Sequence, residues 1–136
     1  MSVKDFVQQR RDALIAMRRD FHMYPEPAWL EYRSAAKVAD TLISLGYDVA
    51  LGADVLDLDS RMGLPSDEVM KAAMDRAIEE GANPELVEKM GYGKTAIVAT
   101  MKFGGEGPVV AFRVDMDSND VIEAKEDNHV PTKEGF

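Results

Sequence analysis

Residues 95–117 read TAIVATMKFGGEGPVVAFRVDMD, and this stretch decides the predicted fold. Two nearly all-apolar segments, 95–103 and 108–116, flank the glycine-rich connection GGEG at 104–107. Glycines supply the backbone conformations that a tight turn needs, so the pattern predicts a β-hairpin. Apolar residues on both faces are typical of strands that helices cover on each side.

Helical spacing of apolar residues predicts two helices before this hairpin. The first is one continuous helix that begins with a capping box, in which Ser2 precedes Asp5. It ends before YPEP at 24–27, because each proline disfavours helix before it. The second runs from about residue 29 to 45, and Gly46 stands where a left-handed cap belongs. Its predicted buried stripe is Tyr32, Ala35, Ala36, Ala39, Leu42 and Ile43.

Between this helix and the hairpin, the sequence changes character. Residues 47–51, YDVAL, read as a short strand, and residues 53–91 read as a helical insertion. Within the insertion, Ser66 is the predicted cap of a helix from about residue 67 to 80, and a short helical turn follows. The predicted fold class is α/β, with helices packed on a small mixed sheet that contains the hairpin. We expect residues 1–136 to form part of one domain.

Composition excludes several classes of partner. The 136 residues carry a net charge of −9 and no cysteine. Phosphate binding needs clustered lysine and arginine, so nucleic acid is excluded as a partner. Without cysteine there is no disulfide and no thiolate metal ligand. The amino terminus lacks the apolar core of a signal peptide, and no stretch approaches the roughly 18 apolar residues of a membrane span, so we expect a cytoplasmic chain without a membrane partner.

Arg113, Asp115 and Asp117 alternate with apolar residues at the end of the second predicted strand. Side chains two apart share a face, so the two carboxylates lie together and repel unless a cation separates them. Arg113 could be that cation in a simple ion ladder, and a metal ion could also fill this role. The motif favours the ion ladder and leaves the metal site open.

A calcium-binding loop is an alternative interpretation of the same stretch. Five residues match positions 1, 3, 5, 8 and 12 of an EF-hand loop: Asp115, Asp117, Asn119, Ile122 and Glu126. Position 6 fails, because Asp120 stands where the sharp turn needs glycine, and the loop follows a strand instead of a helix. A divalent-cation-binding loop therefore stays only as the alternative.

Other conspicuous residues favour structural roles. GYGKT at 91–95 resembles the end of a phosphate-binding loop, but the glycine spacing fails and a strand follows, so that function is rejected. His22 is predicted at the end of the first helix, where it meets free carbonyls, and His129 is too distant in sequence to form a local ligand motif with it. Trp29 and Tyr32 are predicted to pack the second helix against the core.

Several stretches together resemble the metal-dependent amidohydrolases and peptidases of the aminoacylase and carboxypeptidase type. Residues 18–49, RRDFHMYPEPAWLEYRSAAKVADTLISLGYDV, are similar to their amino-terminal double helix. Residues 107–117, GPVVAFRVDMD, are similar to the strand that leads into their active site. SRMGLP at 60–65 and HVPTKEGF at 129–136 resemble the aminobenzoyl-glutamate hydrolase branch, in particular its A-type polypeptides.

This resemblance implies the amino-terminal part of a zinc-peptidase-like catalytic domain that holds two divalent metal ions, manganese or zinc. The lid domain of the family, which also makes its dimer, is absent from residues 1–136. The implied substrate is a small-molecule N-acyl amino acid, here p-aminobenzoyl-glutamate, which is hydrolysed to p-aminobenzoate and glutamate. A homo-oligomer or a partner subunit is also implied.

The resemblance also implies the site residues. Asp117 is predicted to steady a metal ligand, and Asp115 to lie beside the metal. The principal ligands of this branch and its catalytic glutamate are not among these residues, and Ser118 and Asn119 stand where the family has Ala-Leu. We therefore expect the isolated chain to be inactive and the metal not to be held by this chain alone. A non-catalytic fragment that associates with itself or with the remainder is the other alternative.

Overall fold

The structure, a computed structural model, describes residues 2–119 and three residues beyond them: Val121, Ala124 and Glu126. Several predicted features lie outside the described residues: Asp120, Ile122, His129 and the stretch 129–136. The chain divides into two compact units, and each is described by itself.

One unit contains two helices, α1 (Val3–Gln9) and α2 (Arg11–Met23). The predicted capping box is confirmed. The Ser2 hydroxyl accepts the Asp5 amide N–H at 3.2 Å, and the Asp5 carboxylate accepts the Ser2 N–H at 3.1 Å. The prediction of one continuous helix is wrong, because Arg10 leaves the helical conformation with φ −104° and ψ 6°. The second helix ends before the YPEP sequence, as predicted.

The larger unit, Glu26–Ser118, carries the remaining elements. In chain order these are α3 (Tyr32–Ser44), β1 (Asp48–Leu51), two short 3-10 helices (Gly52–Asp54 and Leu58–Ser60), α4 (Asp67–Glu79), α5 (Pro84–Lys89) and β2 (Ile97–Thr100). β1 and β2 pair antiparallel, with Asp48 opposite Thr100. Helices do lie between the two strands, and their status as an insertion at 53–91 within one catalytic domain stays a prediction.

The ends of α3 show how local sequence sets a helix. It begins later than predicted, because Pro27 accepts the Leu30 N–H at 3.0 Å in a turn that precedes the helix. Trp29 lies in this turn in a left-handed conformation, with φ 68°. The other end is as predicted: Gly46 adopts φ 86° and donates its N–H to the Ile43 carbonyl oxygen at 2.9 Å.

The two later helices also begin at capping side chains. The Ser66 hydroxyl accepts the Val69 N–H at 3.4 Å, which confirms the predicted cap of α4. The Asn83 side chain accepts the Glu85 N–H at 3.1 Å at the start of α5. The longest described helices have 13 residues, and no described helix is long and apolar enough to cross a membrane.

The core lies where α3, α4 and α5 meet. Its members are largely small side chains, so the helix backbones can approach closely: Tyr32, Ala35, Ala36, Ala39, Ala73, Ala77, Ala82, Leu86, Val87 and Met90. Four residues of the predicted stripe of α3 are thus buried. The other two lie at its margin, since Leu42 is half-buried and Ile43 is 49% exposed.

The predicted hairpin and mixed sheet are wrong. β2 pairs with β1 in a two-stranded antiparallel sheet, and residues 107–117 form no strand. Val109 is 98% exposed and Phe112 90% exposed, so this apolar segment is not covered by helices among the described residues. Apolar sequence indicates that a segment suits a buried strand, but it does not specify the partner. Here the partner of β2 comes from 46 positions earlier in the chain, at the register Leu51 to Ile97.

We expect Met90→Ala to lower the free energy of unfolding by about 2–5 kcal/mol, because a fully buried side chain leaves a cavity. Chemical denaturation measures the change. Met62→Ala is the matched control: Met62 is 83% exposed, and the change should stay within about 0.5 kcal/mol. Equal effects of the two substitutions would contradict the assignment of Met90 to the core.

Candidate functional site

The predicted site residues lie on an exposed, extended segment near the end of the larger unit. The Arg113 Nη2 atom lies 2.9 Å from Asp115 Oδ1, and the two side chains are 89% and 69% exposed. The ion pair favoured by the sequence is therefore present. Exposed pairs of this kind contribute little to stability, so its main effect is to occupy Asp115.

Met116 and Ser118 anchor this segment to the rest of the unit. Met116 packs against the core. Ser118 donates its backbone N–H to the Glu26 carbonyl oxygen at 2.8 Å, and its hydroxyl donates to the same oxygen at 3.2 Å. Asp117 lies between these two anchored residues and is itself only partly buried. Its position therefore depends on what holds its neighbours.

Glu26 is a buried carboxylate at the start of α3, with 2% of its surface exposed. Oε1 accepts the Arg33 N–H at 2.9 Å, and Oε2 accepts the Ser34 N–H at 2.7 Å. These amides belong to the first helical turn and have no partner within the helix, so the carboxylate caps it. Burial raises the pKa of Glu26, and the hydrogen bonds from Ser34 and Arg33 offset part of that rise.

Glu31 places a second carboxylate beside the first turn of α3. Burial raises the pKa of Glu31, and a hydrogen bond from Thr95 lowers it in part. The negative charges of Asp117 and Glu26 raise this pKa further. One oxygen, Glu31 Oε2, is buried without a hydrogen-bond partner among the described residues. Three acidic residues thus share one electrostatic neighbourhood, which we call the carboxylate cluster: Glu26, Glu31 and Asp117.

Sequence analysis identified Asp117 and missed the other two members of this cluster. A usable signal was present in PEPAWLEY at 25–32, where two glutamates stand just before a helix. Carboxylates are stabilised beside the amino-terminal end of a helix, where backbone N–H groups are unpaired. The distance of 86 positions between Glu31 and Asp117 concealed their proximity.

The described residues do not make up a metal centre. Zinc sites use three or four protein ligands, and the part of the chain that the structure describes contains no group of three His, Cys, Asp or Glu that could hold a metal ion. Asp115 is paired with Arg113 instead. The predicted roles of Asp115 and Asp117 at a metal, and the calcium loop with Asn119 and Glu126, stay predictions.

The two aromatic residues predicted to pack in the core take different positions. Tyr32 is fully buried, and its hydroxyl accepts the Gly93 N–H at 2.8 Å. The Trp29 indole N–H donates to the Met62 carbonyl oxygen at 3.0 Å, within the SRMGLP stretch. The core role is therefore confirmed for Tyr32, whereas Trp29 ties this loop to the turn before α3.

The GYGKT stretch and His22 are found where the sequence places them. GYGKT follows α5 and leads into β2, so a strand follows the glycines and not the helix of a phosphate-binding loop. His22 lies in the last turn of α2.

Comparison with known proteins defines the relatives of this chain. No protein-family model matches it. It is 43% identical over 134 residues to indole-3-acetyl-aspartic acid hydrolase of Enterobacter agglomerans. It is also 43% identical over 135 residues to the A-type polypeptide of p-aminobenzoyl-glutamate hydrolase of Escherichia coli strain K12. These matches cover 98% and 99% of this chain, which spans 31% of the length of each of these curated relatives.

A solved structure agrees with these matches. The crystal structure of an aminobenzoyl-glutamate utilization protein from Klebsiella pneumoniae matches 88% of this chain and 30% of that chain, with a TM-score of 0.84 and 46% identity. Helices with a small antiparallel sheet therefore match the fold of that protein. By their names, the sequence relatives are hydrolases. Within that class, the chain is a homologue of the A-type polypeptide of p-aminobenzoyl-glutamate hydrolase, as the sequence resemblance predicts.

We expect Glu31→Gln to remove a pH-dependent loss of stability. The folded pKa of Glu31 is raised, so the folded chain retains a proton that the unfolded chain has lost. Stability therefore falls as pH rises from the ordinary value of 4.5 through the raised folded pKa. The variant should match the wild type below that window and be the more stable of the two at neutral pH, as measured by chemical denaturation.

The control for this experiment is Glu106→Gln, which alters an exposed glutamate in the same unit. Its stability relative to the wild type should not vary with pH. A Glu31→Gln variant whose stability depends on pH as strongly as that of the wild type would contradict the unfavourable environment of Glu31.

Proposed function

We propose that this chain is the amino-terminal part of a zinc-peptidase-like catalytic domain of a metal-dependent amidohydrolase. The supporting observation is 43% identity, over nearly the whole chain, to hydrolases of indole-3-acetyl-aspartic acid and p-aminobenzoyl-glutamate. In both compounds an amide joins an acidic amino acid to an acyl group that carries an aromatic ring. The proposed substrates belong to this amide class, and p-aminobenzoyl-glutamate, which yields p-aminobenzoate and glutamate, is the first to test.

In this proposal Asp117 steadies a metal ligand, and Asp115 lies beside the divalent metal, manganese or zinc. The ion pair with Arg113 reduces the charge that Asp115 can offer a cation. Asp117 instead shares its surroundings with the carboxylates of Glu31 and Glu26. Further ligands would have to come from another polypeptide segment. The Escherichia coli relative is named as one subunit of its hydrolase, which supports a second polypeptide as one source.

We further propose that the 136-residue chain does not hydrolyse the amide by itself. Catalytic zinc sites use three protein ligands and one open position. The sequence offers no cysteine and two histidines, and in the described part no three potential ligands come together. Two aspartates alone do not meet this requirement.

The purified chain, supplied with manganese or zinc, is expected to release no p-aminobenzoate above the level of a protein-free control. The Escherichia coli p-aminobenzoyl-glutamate hydrolase serves as the positive control, and indole-3-acetyl-aspartic acid as a second substrate. Metal-dependent release that disappears in Asp117→Asn would overturn the proposed inactivity and would support a direct role for this aspartate.

The second candidate function is association with another polypeptide through residues 107–116. Four large apolar side chains stand out in this segment: Val109, Val110, Phe112 and Val114, which are 98%, 69%, 90% and 77% exposed. Contiguous exposed apolar surface and unpaired extended backbone both favour pairing with a further strand. For the isolated chain we propose that a second copy supplies this partner.

Light scattering tests this association. The apparent mass of the wild-type chain should rise with concentration above the 15.0 kDa of a monomer. The double variant Val110→Ser, Phe112→Ser should remain monomeric, because the apolar contact is lost. Val3→Ser, which alters a residue that is 81% exposed in the other unit, should behave like the wild type. A wild-type chain that stays monomeric at every concentration would exclude the association.

A further inference from the structure

We propose that Glu26 is a positioning residue for Asp117: its carboxylate fixes the start of α3, and its carbonyl oxygen holds Ser118, the neighbour of Asp117. The two ends of the same residue thereby join the amino-terminal end of a core helix to the acidic segment. The inference rests on the proposed function only in giving Asp117 a part in metal binding. The coupling itself stands on hydrogen bonds of the larger unit.

The side chain of Glu26 is firmly held. It accepts two backbone hydrogen bonds, from Arg33 at 2.9 Å and from Ser34 at 2.7 Å, and only 2% of the residue is exposed. Hydrogen bonds to a charged carboxylate are stronger than those between neutral groups. Pro25 and Pro27 flank Glu26 and restrict the backbone on both sides. A fixed side chain on a restricted backbone leaves the carbonyl group little freedom.

The carbonyl oxygen of Glu26 is the acceptor for both donors of Ser118, the N–H at 2.8 Å and the hydroxyl at 3.2 Å. This contact fixes the peptide group that joins Asp117 to Ser118. Met116, on the other side of Asp117, packs against the core. Asp117 is thus held from both sides while part of its own surface stays exposed.

Loss of the Glu26 carboxylate would act on Asp117 indirectly. The amides of Arg33 and Ser34 would lose their acceptor, and the turn before α3 would lose its attachment to the helix. The Glu26 carbonyl oxygen would then no longer be held opposite Ser118. Sequence distance does not weaken this coupling, because the contact between Glu26 and Ser118 spans 92 positions.

Amide hydrogen exchange of the full 136-residue chain, followed by NMR, tests the inference. The measured quantity is the exchange rate of the Ser118 amide divided by that of the Val87 amide, which lies in the core and reports global unfolding. We expect Glu26→Gln to raise this ratio about tenfold, since the amide nitrogen of glutamine cannot accept the second backbone hydrogen bond. Glu26→Asp, the milder second variant, should raise it less.

The matched control is Ser66→Ala, which removes a helix cap of the same unit at α4, away from Ser118. It should leave the ratio within about twofold of the wild type, because its effect is confined to stability. An unchanged ratio in Glu26→Gln, or an equal rise in Ser66→Ala, would overturn the positioning role. If Glu26→Gln does not fold, the ratio in Glu26→Asp decides by the same criterion.

This result does not depend on the proposed function. Exchange at Ser118 is measured without metal or substrate, so an unchanged ratio removes the positioning role whatever the chain hydrolyses. Conversely, activity of the isolated chain would revise the proposed function and leave the exchange ratio as it is.

Discussion

The buried carboxylate of Glu26 at the start of α3 is the constraint on which the candidate site depends. Its two hydrogen bonds satisfy backbone amides that the helix itself leaves unpaired. α3 in turn supplies Tyr32 and a row of alanines to the core. The same glutamate presents its carbonyl oxygen to Ser118. Helix, core and acidic segment are therefore linked through one residue.

The carboxylate cluster is locally unfavourable. Glu26 and Glu31 both lose hydration, and Glu31 also lies within the field of Asp117. Backbone amides compensate Glu26, whereas Glu31 keeps one buried oxygen without a partner in the described part of the chain. Unfavourable groups of this kind are often found at functional sites, where geometry outweighs stability. The cluster thus agrees with the site that the homologous hydrolases suggest.

Predictions from the sequence succeeded where the deciding interaction is local. The capping box of Ser2 and Asp5, the cap at Ser66 and the left-handed Gly46 each depend on residues within a few positions. The predicted stripe of α3 succeeded for the same reason, because helical spacing is a local property. The break at Arg10 was missed, since the apolar spacing continues through it.

Predictions failed or were absent where two distant segments meet. Apolar sequence alone suggested that residues 95–103 and 108–116 pair with one another, yet β2 pairs with β1 across an intervening set of helices. The proximity of Glu31 to Asp117 and the contact of Glu26 with Ser118 have no signal in spacing. The sequence by itself determined the helices, their caps and the family resemblance. Only the tertiary structure decided the strand partner and the carboxylate cluster, because contacts between distant residues depend on how the whole unit packs.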